Sequence, residues 1–204
     1  MPEKRGTLAR WRFYWKVSEV GAIARRYFVI NAFDGALTML GVVIGSYLAG
    51  IEDPYIIILA GLSGAIAMGV SGMSGAYLAE TAERKKHLKK LERAMLRTMS
   101  DTIHEEAHDF AATAVAIIDG LSPALAALAV ISPFFLENVG LISATVAFYA
   151  SITLTMVVLF VLGAYLAKIS DESLARYGAI MLVVGLITAG LCTAVSVLLR
   201  AGTH

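Results

Sequence analysis

The chain has 204 residues, is 58% hydrophobic with a mean hydropathy of +0.72, and carries only 16% charged residues, against about 25% in soluble domains. This composition belongs to the membrane class and excludes a sizeable soluble domain, and a formal net charge of +1 gives no electrostatic basis for a nucleic-acid partner. The single cysteine, Cys192, excludes an intrachain disulfide and reads as a small packing residue.

Residues 1–26 are basic, with Lys4, Arg5, Arg10, Arg12, Lys16, Arg25 and Arg26, and lack the apolar core and cleavage site of a signal peptide. Leu8, Trp11, Trp15, Val20 and Ile23 alternate with these cations, which suits an amphipathic helix lying in the membrane interface. A disordered basic tail is the plainer alternative. A spanning helix needs about 20 mainly apolar residues. Five stretches meet that requirement: Tyr27–Gly50, Tyr55–Ala79, Ala111–Leu136, Leu141–Ala167 and Tyr177–Leu199. They are too long, and too little alternating, for barrel strands. Residues 80–110 form the one sizeable polar segment, in which Leu88, Leu91, Met95 and Met99 recur at helical spacing. One or two helices projecting from the membrane are expected there. The resulting plan is an interfacial segment (1–26), two spans (27–79), a helical insert (80–110), three spans (111–199) and a short external tail (200–204).

Sixteen of the 17 lysines and arginines fall before the first span, between the second and third, or between the fourth and fifth. Only Arg200 falls on the other side, whose loops carry Glu52, Asp53 and Glu137. The positive-inside bias therefore predicts a cytoplasmic N-terminus and an external C-terminus. The expected fold is an all-α, polytopic membrane protein with five transmembrane helices.

Ionisable groups within spans cost about 2.5–3.5 kcal/mol each and usually serve a function or hold a partner. Asp34 and Asp119 are the two candidates. Each stands about eight residues into its run, on the order of 12 Å along a helix, and each is followed by glycine in a similar setting. Spans one and three run in the same direction, so the two carboxylates are expected at similar depth, lining a shared cavity. Capping is the alternative: Asp34 would open a shorter helix, and Ser122-Pro123 would restart a broken third span. A broken helix at membrane depth would itself have to line a cavity or be buried in protein.

Span two is rich in small residues, and Gly64, Met68, Gly72, Ala76 and Glu80 share one helical face. That face serves close helix packing or a dimer interface. A sharper reading adds the thioethers of Met68 and Met73 to the carboxylates, a donor set suited to Fe²⁺ or Mn²⁺ rather than Mg²⁺. In the polar insert, Asp101, His104, Glu105, Glu106, His108 and Asp109 include one Glu-x-x-His pair. Such pairs bind iron or manganese when two converge, so a complete site would need a second copy of the chain. Glu80 and Glu83 are further candidate ligands, and a solvated acidic face balancing the lysines is the alternative. No nucleophile elbow, phosphate loop, CxxC or HExxH motif is present, so enzyme chemistry is not expected.

Asn31-Ala-Phe-Asp34-Gly35, Gly64-Ala-Ile-Ala-Met68 with Gly75-Ala-Tyr-Leu, Ser151 through Ala164, and Tyr177 through Gly190 together resemble the vacuolar iron transporter family. The resemblance covers about residues 27–199. It implies a homodimeric, proton-coupled transporter that moves Fe²⁺ or Mn²⁺ out of the cytoplasm. Asp34 and Met68 match the family's aspartate and methionine of the path.

The leading expectation is therefore a divalent-metal exporter. Metal gathered near the acidic insert would pass Asp34, Met68, Met73 and Asp119 while protons move the other way. No cofactor is expected to be permanently bound. Fe²⁺ or Mn²⁺ is the cargo, with Zn²⁺ or Co²⁺ as surrogates, and the partners are the lipid bilayer and a second copy of the chain. A prokaryotic plasma membrane is expected, or a vacuolar membrane in a eukaryote. The rival readings are a transporter or channel for a non-metal solute, and a membrane scaffold without transport.

Overall fold

The computed structural model describes residues 20–95 and 103–201 and, within them, all side chains except those of 20, 22, 91, 95, 103–109 and 201. The described residues form five helices: α1 (Val20–Ala49), α2 (Pro54–Met95), α3 (Ile103–Asn138), α4 (Ala144–Ile169) and α5 (Leu174–Ala201). Each is long and apolar enough to cross a membrane. The protein is a multi-pass membrane protein, as its composition requires.

The connections are written in the chain's turn residues. Gly50 and Gly140 take positive φ angles of 74° and 76° just beyond α1 and α3. Each lets the next N–H close back on the helix, Ile51 to the Ser46 carbonyl at 3.0 Å and Leu141 to Leu136 at 3.0 Å. This left-handed cap satisfies end carbonyls that would otherwise be orphaned. Asp171 does the same after α4 with φ 54°, and the Glu172 N–H reaches the Ala167 carbonyl at 3.0 Å. At the start of α2, the Asp53 carboxylate accepts the Tyr55 N–H at 2.9 Å, with Pro54 as first helical residue.

The capping alternative is excluded on both helices. Asp34 does not cap a shorter helix: it lies in the middle of the 30-residue α1. Span three is not broken at Ser122-Pro123, because α3 is continuous over 36 residues with Pro123 and Pro133 inside it. Proline removes a donor to the carbonyl four residues back. At Pro133 the loss is made good locally, since the Ser132 hydroxyl donates to the Ala129 carbonyl at 2.7 Å. The described part of the polar segment is helical, as its spacing predicts. α2 runs on through Glu80 to Met95, so its 42 residues span roughly 63 Å, about twice a bilayer's hydrocarbon thickness. The interfacial helix expected in residues 1–26 lies outside the described residues up to 19, and Val20–Arg26 form the first turns of α1.

Packing divides the chain into two compact units, one drawn from Met1–Phe28 and Gly69–Leu121, the other from Val29–Met68 and Ser122–His204. The first has a core of small side chains, Ala24, Ala76, Ala111, Val115 and Ala116, flanked by Ile23, Tyr27 and Ile118. The second buries larger ones, among them Met39, Ile57, Ile131, Phe134, Phe148 and Leu159. Phe134 meets Phe148 edge-on at 5.0 Å, a preferred aromatic geometry. Outward-facing positions on α2, α4 and α5, such as Ile66, Val70, Val157, Leu186 and Leu191, are apolar and exposed, which suits lipid as the surrounding solvent.

Candidate transport site

In the second unit, the site begins with Asp34-Gly35 on α1. Gly35 is buried, and a Cβ there would stand 2.6 Å from Pro123 Cα and closer still to the Pro123 carbonyl oxygen. Only glycine fits so close an approach. α1 therefore rests on α3 through Gly35, and the residue before it is turned away: Asp34 is exposed, as is Thr38 one turn later. Met39 lies on the opposite, fully buried side and packs towards Gly64, whose Cβ position is 3.1 Å from the Met39 methyl. Met68 is half-buried against the same core. The shared face of Gly64 and Met68 is thus a packing face, in keeping with the small-residue pattern.

In the first unit, Asp119 is 6% exposed. Its helix crosses α2 at glycines on both sides: a Cβ at Gly120 would lie 2.5 Å from the Gly69 carbonyl oxygen and 2.9 Å from Met73 Cβ. A Cβ at Gly72 would lie 3.0 Å from Asp119 Oδ2. The carboxylate is pressed against the α2 backbone. The two aspartates, alike in sequence, therefore occupy different environments, one exposed and one buried.

Glu80 is already engaged. Its carboxylate accepts from Arg84 Nε at 3.2 Å, one turn along α2, with both side chains about 14% exposed or less. Tyr27 of α1 lies within the electrostatic field of both Glu80 and Asp119. The neighbouring Thr81 hydroxyl is buried without a hydrogen bond. Glu83 and Met73 are exposed. The Glu80–Arg84 pair was legible as an i,i+4 spacing; the part of Tyr27 was not, because nothing local in the sequence ties it to α2.

Of the acidic insert, Asp101 lies outside the described residues, as do the side chains of His104, Glu105, Glu106, His108 and Asp109. The backbone from Ile103 onwards is helical, which sets positions 104 and 108 one turn apart. Among the described residues, no three His, Cys, Asp or Glu side chains come together.

The model of the VIT family matches residues 25–110 and 81–197, two matches that overlap over residues 81–110. The chain is also 34% identical over 177 residues to an uncharacterized protein of Methanocaldococcus jannaschii, an overlap that covers 84% of this chain and 88% of that protein.

Proposed function

The chain belongs to the vacuolar iron transporter family, a family of metal-ion transporters, and from that premise we propose that it exports Fe²⁺ or Mn²⁺ from the cytoplasm in exchange for protons, as a homodimer. The observation that carries this reading is the exposure of Asp34. A carboxylate in the middle of a span that faces outward from the single chain cannot be left to hydrocarbon at a cost of about 2.5–3.5 kcal/mol. A second copy, related by a twofold axis, would bring its own Asp34 and Thr38 to the same surface. The stripe then becomes the wall of a polar path instead of a lipid contact.

Carboxylate oxygens suit an exchanger because they hold a divalent cation or a proton, one at the expense of the other. Thioether from Met68 would favour Fe²⁺ over harder cations such as Mg²⁺. The cations on the α2 extension and before α1 set the orientation, with the N-terminus in the cytoplasm. On this reading metal enters from the side of the acidic insert and leaves towards Glu52, Asp53 and Glu137. A prokaryotic plasma membrane is the setting that the archaeal relative favours. The test is Mn²⁺ uptake by proteoliposomes: Asp34→Asn should reduce it to the level of empty liposomes. Undiminished uptake would remove Asp34 from the path.

A further inference from the structure

We propose that Arg25 and Arg26 at the foot of α1, with Lys85 and Lys86 on the extension of α2, form a docking surface for the headgroups of anionic phospholipids in the adjoining leaflet. The partner is a lipid surface, whatever cargo the protein moves.

Beyond its apolar run, α2 has two unlike sides. Glu80, Thr81, Arg84, Leu88 and Glu92 are half-buried, while Lys85, Lys86, Lys89, Lys90 and Arg93 are exposed. On a helix the five exposed cations share an arc of about 140° and rise about 12 Å from Lys85 to Arg93. Between residues 85 and 93 the one carboxylate is Glu92, on the half-buried side. The exposed side is therefore a strip of positive charge, with Glu83 at its border.

The foot of α1 sets the level of the membrane surface. Ala24 packs into one small core with Ala76 and Ala111, so the next two residues, Arg25 and Arg26, stand level with the end of the α2 apolar run. Both are exposed, and arginine left facing hydrocarbon is too costly to keep. The Arg26 guanidinium lies 5.8 Å from the centre of the Tyr27 ring, and tyrosine is itself enriched where membrane meets water. Lys85 and Lys86 follow Glu80 by on the order of 8 Å, against a headgroup layer of about 5–8 Å. Their long stems let the ammonium groups reach back into that layer. Glu80, at the same level, is engaged by Arg84, which leaves exposed Glu83 against four cations. Such a cluster beside a span attracts anionic lipid, and its pull fades within a Debye length of about 8 Å. Lys90 and Arg93 stand about 8–11 Å further out. A soluble polyanion would engage the strip along its whole length; the two arginines on a second helix, at membrane level, favour the lipid surface.

Electron spin resonance of the full-length protein in phosphatidylcholine liposomes tests this, with a trace of spin-labelled phosphatidylglycerol or spin-labelled phosphatidylcholine as the probe. The immobilised fraction of each probe measures how strongly that lipid is held. Phosphatidylglycerol should be preferred, and added salt should remove much of the preference. Lys85→Gln together with Lys86→Gln should lower the preference at least about fivefold, roughly the contribution of one cation at a membrane surface. Lys85→Arg with Lys86→Arg should keep it. Lys90→Gln with Arg93→Gln, further from the surface, should lower it less. All four side chains are exposed, so none of these changes opens a core. Equal retention of the two lipids by the wild type would overturn the proposal. Equal losses from the two glutamine pairs, or displacement of phosphatidylglycerol by inorganic phosphate at matched ionic strength, would assign the strip to a soluble anion and overturn it as well.

Discussion

Gly35 and Gly72 each stand beside a carboxylate, but what a Cβ would meet differs between them. At Gly35 the obstacle is the backbone of Pro123, which cannot swing aside as a side chain can. Overpacking a well-filled core costs about 1–3 kcal/mol, occasionally more, and a protein of this size loses roughly 2–4 °C of melting temperature per kcal/mol. Gly35→Ala should therefore lower the melting temperature in detergent by several degrees at least; an unchanged value would mean that α1 and α3 do not meet there. At Gly72 the nearest atom is Asp119 Oδ2, a side-chain atom that can yield. Both aspartates were legible in the sequence, since charge within an apolar run stands out. Which way each points was not. An all-apolar helix has no polar face to orient it, so the exposure of Asp34 and the burial of Asp119 emerge only from packing.

At the scale of the helix, glycines sort into those that are pressed and those that are not. A Cβ at Gly163 of α4 would come within 2.6 Å of the Tyr177 carbonyl oxygen and 2.9 Å of Gly178 Cα on α5, whereas one at Gly190 meets nothing within 4 Å. Without a hydrophobic force between helices in lipid, such close approaches are what hold them together. Gly163→Ala should loosen α5 and lower thermal stability. Gly190→Ala should leave stability unchanged or raise it, because alanine gains about 1 kcal/mol of helix propensity over glycine in peptides. Equal melting temperatures for the two variants would contradict the crossing. The five spans themselves, and the Gly50, Gly140 and Asp53-Pro54 boundaries, were readable because length, hydropathy and turn chemistry agree. Pro123 left a broken third span open as an alternative, yet α3 runs through it. Proline removes one helical hydrogen bond and its ring crowds the carbonyl four residues back; within a span that carbonyl must be satisfied inside the protein, as the Ser132 hydroxyl does for Ala129 beside Pro133.

For the molecule as a whole, the sequence gives the class with little ambiguity, since apolar runs flanked by cations admit few alternatives. The extent of α2 was harder to see: Glu80 to Met95 changes polarity but not helical spacing, so the helix runs on from its span into the polar segment. The central claim is that metal leaves the cytoplasm as protons enter it. Inside-out vesicles containing the protein and an acidic lumen test it most directly, with Mn²⁺ added outside. Uptake should exceed that of vesicles without the protein and collapse when a protonophore dissipates the gradient. Uptake no greater than in vesicles without the protein, or uptake indifferent to the gradient, would contradict it.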